Sequence, residues 1–130
     1  MSKKIISWLL RICAAVLLLQ TLFFKFTGAE ESVYIFSQLG VEPWGRIATG
    51  CMELIAAILL LIPSTIVPGA LLTVGIMAGA IAAHFLKIGI VVQNDGGLLF
   101  VYACIVLLSA VILLILNKKQ LVMFKQKLNL

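Results

Sequence analysis

The sequence predicts an all-α integral membrane protein: a four-transmembrane-helix bundle with a short interfacial helix in the first outer loop. Three observations carry that prediction. Apolar residues make up 63% of the 130-residue chain and charged residues 12%, with a mean hydropathy of +1.21; a soluble domain of this size could not bury so much apolar surface. The apolar residues fall into four runs, Ile5–Phe26, Trp44–Ile62, Val67–Leu86 and Gly97–Leu116, each near the roughly 20 residues that cross a bilayer as a helix. Lys3 and Lys4 precede the first run, and Lys118, Lys119, Lys125 and Lys127 follow the last. That is the positive-inside pattern, which assigns both termini to the cytoplasm. A single domain over residues 1–130, with a basic cytoplasmic tail at 117–130, follows from these features.

Each element has its own signal. The first span begins like a signal peptide, but Arg11 interrupts the apolar stretch and Thr27-Gly28-Ala29 is a weak cleavage sequence, so a retained helix is expected. Arg11 lies near the inner end, where its long stem is expected to snorkel to cytoplasmic headgroups, and it receives no site role. Thr27 with Glu30 fits a capping box, and Glu30 and Glu31 suit the positive end of a helix dipole. Val33, Phe36 and Leu39 then give one apolar face, and Gly40 can close the helix in a left-handed turn. Tyr34 and Trp44 suit an interfacial aromatic belt.

The connection at Ile62-Pro63-Ser64-Thr65 is short and uncharged, which makes the second and third spans antiparallel neighbours. In the third span Gly75, Gly79 and Ala83 recur every fourth residue, a spacing that lets helices approach closely. Packing inside the bundle is the expected use, with a homodimer seam as the alternative. Asp95 reads as a cap for the fourth span. In the tail, Leu121, Phe124 and Leu128 at helical spacing predict a helix on the cytoplasmic membrane surface, its lysines meeting anionic lipid headgroups.

The net charge of +5 resides largely at the chain ends, so it indicates lipid rather than nucleic acid. Cys13, Cys51 and Cys104 lack any Cys-x-x-Cys or zinc-like spacing. They are expected to be small buried hydrophobes, with a Cys51–Cys104 redox pair as the alternative. One histidine and scattered carboxylates are a poor metal set. No nucleophile–base pair, phosphate loop, or haem, flavin or iron–sulfur ligand set is visible.

Two of the ionisable residues inside the spans, Glu53 and His84, lack a long stem that could carry the charge to the interface. Glu53 and His84 would each cost several kcal/mol in hydrocarbon unless paired, neutralised or facing a polar cavity. Glu53 lies about 13 Å below Trp44 at the helical rise of about 1.5 Å per residue. Arg46, seven residues earlier, shares nearly the same face and is expected above it near the outer mouth. His84 is in the last outer turn of the third span. Lys25 closes the first span and Asp95 opens the fourth. Glu53, His84, Arg46, Lys25 and Asp95 are therefore the candidate lining of an outward-facing ligand pocket.

The chain resembles the DoxX-like family of small four-helix bacterial membrane proteins. The resemblance is carried by Lys25-Phe26-Thr27-Gly28, by Leu39-Gly40-Val41-Glu42-Pro43-Trp44-Gly45-Arg46, and by Gly50 with Glu53-Leu54. Gly69-Ala70, Met77-Ala78-Gly79-Ala80, His84 and Asp95-Gly96-Gly97 continue it. It implies a bacterial cytoplasmic (inner) membrane location. Named members of the wider group resemble subunits or partners of membrane redox systems, including thiosulfate:quinone oxidoreductase, which implies redox partner proteins. It implies no catalytic residues. The functional classes that follow are an accessory subunit of a quinone-linked redox complex, a small-solute or lipid-binding transporter, and a membrane scaffold.

Overall fold

The computed structural model describes residues 2–128. Its helices are α1 (Lys3–Thr27), α2 (Glu30–Gln38), α3 (Trp44–Leu61), α4 (Ile66–Ala83), α5 (Leu98–Leu116) and α6 (Lys118–Lys127). A single 3-10 turn, Pro63–Thr65, joins α3 to α4, and one wide π turn, His84–Ile88, extends α4. No strand occurs among the described residues. Four helical segments are long and apolar enough to cross a membrane: Lys3–Thr27, Trp44–Leu61, Pro63–Ile88 and Leu98–Leu116. They agree with the four hydropathy runs to within a few residues.

The four long helices form a ring in the order α1, α3, α4, α5, with α5 closing against α1. Small residues fill the places where they meet. Ala14 and Ala15 of α1, Ala56 and Ala57 of α3, Ala70 of α4, and Ala103 and Ala110 of α5 are buried. Large side chains such as Leu9, Val16, Phe23, Ile55, Ile58, Leu108 and Ile115 project outward. This is the arrangement lipid demands, because hydrocarbon solvates leucine as well as the interior does and close backbone approach becomes the source of helix association.

One end of the bundle holds the termini and the α3–α4 turn, and it is tied by polar contacts. Gly69 is the close-approach residue there: a Cβ on it would lie 2.8 Å from Leu59 Cβ and 2.9 Å from the Leu60 backbone nitrogen. The Thr65 hydroxyl donates to the Leu59 carbonyl at 2.8 Å. Gln120 of α6 accepts from the Val67 amide at 2.8 Å and donates to the Pro63 carbonyl at 3.1 Å. Helix ends leave such groups without intrahelical partners, so these side chains complete what the backbone cannot.

Several expectations are corrected here. Arg11 does not snorkel: it is 2% exposed, its Nε donates to the Leu60 carbonyl, and its guanidinium lies 3.8 Å from the centroid of the Trp8 ring. A carbonyl freed by the end of α3 is a nearer acceptor than a headgroup. The Thr27–Glu30 capping box does not form. Thr27 still belongs to α1, its hydroxyl donates to the Phe23 carbonyl at 2.6 Å, and Ala29 begins α2 without a side-chain cap. Gly40 does close α2 with a φ of +75°, and the following Val41 amide returns to Phe36 O at 2.9 Å. Gly75 and Gly79 are exposed, and a Cβ on either would meet nothing within 4 Å, so neither packs inside the bundle.

Gly69→Leu is expected to destabilise the protein by about 3 kcal/mol, the upper part of the overpacking range, because backbone rather than a movable side chain blocks it. Gly75→Leu, facing open space, is expected to leave the midpoint nearly unchanged. Thermal unfolding of both variants in detergent checks the contrast.

Candidate functional site

At the opposite end, the ring of helices encloses a cavity of about 610 Å³, within the size range of small-molecule sites. All four long helices contribute to its wall, and α2 lies across the end, contributing Glu31, Ser32, Ile35, Phe36 and Leu39. Below the cavity the bundle is solid: Leu60, Val67 and Leu113 are fully buried. Most of the wall is apolar. The polar exceptions include Thr21, Lys25, Glu31, Glu53, His84, Asp95 and Tyr102.

Glu53 is 3% exposed, and its Oε2 lies 3.2 Å from Lys25 Nζ on α1. The Thr21 hydroxyl is 3.0 Å from the same oxygen and 2.9 Å from the Leu18 carbonyl; its single hydrogen serves one of them at a time. Neighbouring α1 and α3 thus resolve the cost of a buried carboxylate by pairing it across the seam. Phe26 covers the seam beside it, its ring 2.7 Å from where a Cβ on Gly50 would sit. Lys25 has three N–H donors, so donors remain for an acceptor in the cavity.

The facing wall holds His84, Asp95 and Glu31. His84 is 5% exposed and lines the cavity. His84 follows the buried Met77 by seven residues, on the inward face of α4, and opens the π turn; such turns are common at functional sites. Its Nδ1 lies 2.9 Å from the Gly89 carbonyl. A carbonyl only accepts, so Nδ1 carries the hydrogen and Nε2 is left as the second functional nitrogen. The ring also packs edge-on against Phe100, with centroids 5.5 Å apart.

Asp95 is a cap and a cavity residue at once. Its carboxylate accepts from the amides of Val92 at 3.0 Å, Gly97 at 2.7 Å and Leu99 at 3.2 Å. Burial by itself raises its pKa, but those amides, with His84 nearby, bring it below the ordinary value. Glu31 moves the other way: burial, then the negative charge of Asp95, raises its pKa. Glu31 is the cavity carboxylate that sequence reasoning missed. Its position one residue into α2 signalled a dipole partner, and only the fold of α2 over the cavity turns it inward.

Of the five anticipated residues, Lys25, Glu53, His84 and Asp95 line this cavity and Arg46 does not. Arg46 shares the Glu53 face as expected, but its Nε lies 2.9 Å from Glu42 Oε1 and its Nη1 donates to the Lys25 carbonyl. It clamps the end of α1 to the α2–α3 connection. The cysteines are also corrected. All three are free, Cys13 and Cys51 are exposed rather than buried, and Cys51 and Cys104 sit on α3 and α5, which are diagonal in the ring. Among the described residues no cluster of three or more His, Cys, Asp or Glu could hold a metal ion.

Fold and site together define a multi-pass helical membrane protein with an amphiphilic cavity confined to one half of its bundle. The chain belongs to the DoxX-like family, whose sequence model matches residues 9–111. Comparison with curated proteins and with solved structures gives no match.

Glu53→Gln is expected to cost about 3 kcal/mol, the low end for breaking a buried ion pair, since Lys25 keeps some exposure. Adding Lys25→Met should recover part of that loss, and a double-mutant cycle from detergent melts would show simple additivity if the pair were not coupled. Asp95 should stabilise the fold above its unfolded pKa near 3.8 and lose that effect as pH falls through its lower folded value. The melting-temperature gap between wild type and Asp95→Asn is accordingly expected to narrow from neutral pH to strongly acidic pH.

Proposed function

We propose that the protein is a ligand-holding accessory subunit of a quinone-linked redox complex in the bacterial cytoplasmic membrane. Both termini face the cytoplasm, and the cavity occupies the outer half of the bundle. The cavity itself carries this reading: apolar walls suit a ring or tail, and Lys25, Glu53, His84 and Asp95 supply donors and acceptors for a polar head. The lysines at the terminal end support the orientation, and the family resemblance supports the redox setting. Lys25 donors and His84 Nε2 are the groups suited to hydrogen-bond the carbonyl oxygens of a quinone. Electrons would be supplied and removed by partner proteins, while this chain binds and orients the head group.

The second reading, a small-solute or lipid transporter, has support from the same polar wall. The filled half around Leu60, Val67 and Leu113 favours holding a ligand over conducting it. The scaffold reading draws on the exposed Gly75 and Gly79 as a homodimer seam.

Trp44 stands at the cavity and Trp8 lies at the opposite end, so Trp8→Phe leaves Trp44, at the cavity rim, as the single tryptophan. In lipid nanodiscs, a short-tailed ubiquinone analogue is expected to quench Trp44 saturably, and Glu53→Gln to weaken that binding about tenfold, or about 1.4 kcal/mol. Quenching that never saturates, together with the absence of quinone from the purified protein, would reject the assignment.

A further inference from the structure

We infer that the cavity is loaded sideways from the membrane, through a portal between α3 and α4, by an amphiphile whose hydrocarbon tail remains in that portal. This rests on the reading of the cavity as a head-group site and adds the ligand's shape and its route.

The portal is a consequence of how two helices diverge. At the terminal end Leu59 of α3 and Gly69 of α4 touch with almost no space between them. One face of α3 carries Leu59, then Met52 seven residues and Ala48 eleven residues before it. The matching face of α4 carries Gly69, then Ile76 and Ala80 seven and eleven residues after it. At helical spacing each set faces the same partner. Near the turn the two faces are in contact; farther along, Met52, Ala48, Ile76 and Ala80 instead line the cavity. The helices are pinned at one end and splayed at the other.

The splayed seam reaches the bundle's outer surface. Met52 is 41% exposed, and Ala48 and Gly79, which also line the cavity, are exposed. A Cβ on Gly79 would meet nothing within 4 Å. With Trp44 at the interface, Met52 lies about 12 Å deeper at the helical rise. The opening is therefore at hydrocarbon depth, where water-soluble ligands are scarce and tails are abundant. Two other seams carry larger side chains or a salt bridge. The α1–α3 seam is closed by Phe26 on Gly50 and by the Lys25–Glu53 pair. The α1–α5 seam presents the bulky aromatic rings of Phe24 and Tyr102 with Leu98, where the α3–α4 seam presents Ala48, Gly79 and Ala80 beside Ile76 and the flexible Met52.

Gly75 supplies an internal control. It lies four residues before Gly79, is likewise exposed and unobstructed, yet does not line the cavity. A homodimer seam would use both glycines alike; a portal uses only Gly79. In nanodiscs of the Trp8→Phe protein, binding of a prenyl-tailed benzoquinone followed by stopped-flow quenching of Trp44 is expected to slow about tenfold in Gly79→Leu, a change within the span of mutant association rates. Gly75→Leu should behave as wild type, and both variants should melt with it. A tail-less benzoquinone should bind more weakly to wild type and ignore Gly79→Leu. No saturable quenching in wild type rejects the head-group site and the portal with it. Intact quenching with an unchanged rate in Gly79→Leu rejects the portal alone. Equal slowing by Gly75→Leu, or slowing by Leu98→Phe without slowing by Gly79→Leu, overturns the assigned route.

Discussion

The contact of Gly69 with the Leu59–Leu60 backbone sets the geometry of everything above it. It holds α3 and α4 together at the end of the bundle where the chain turns. Arg11 on the Leu60 carbonyl, Thr65 on the Leu59 carbonyl and Gln120 on Pro63 and Val67 reinforce that end. Helix ends leave backbone groups without intrahelical partners, and these side chains supply partners there. Farther along the same two faces of α3 and α4, Met52, Ala48, Ile76 and Ala80 line the cavity, with α2 folded across its end.

Charge is distributed by the same geometry. The tied end uses its buried cation, Arg11, to complete a helix terminus. The open end uses its charges on the cavity wall, where the Lys25–Glu53 pair joins α1 to α3 and lets a deep carboxylate exist beside apolar side chains. Asp95 and Glu31 illustrate how environment separates two carboxylates. Against the effect of burial, three amides draw Asp95 below its ordinary pKa, while burial and the neighbouring Asp95 charge raise Glu31. The same region therefore lowers the pKa of one carboxylate and raises that of the other.

How much of the site could be read in advance depended on side-chain length. Glu53 and Asp95 are short, so their positions along the chain place their carboxylates closely, and both line the cavity. Arg46 and Arg11 are long, and where a guanidinium goes depends on which acceptors lie within its reach. Glu42 and the Lys25 carbonyl take the first, and the Leu60 carbonyl takes the second. His84 was legible in depth and, seven residues after Met77, on the buried face of α4; its Nδ1 contact with the Gly89 carbonyl across the π turn was not. Glu31 was legible as a helix-start carboxylate but not as a wall of the cavity.

The sequence by itself determined the four spans, their alternating direction, the short α2 and its closure at Gly40, and membership of the DoxX-like family. Those features follow from local composition and from the requirement that a chain in lipid satisfy its own backbone. Tertiary structure alone decided which glycine is a contact and which is a gap. Gly69, Gly75 and Gly79 are chemically identical and lie on one helix, yet the first is pressed against α3 and the other two face open space. Gly75 and Gly79 stand six and ten residues from Gly69 and so on another face of α4, but which face of α4 meets α3 is a property of the assembled bundle and of no single segment of the chain.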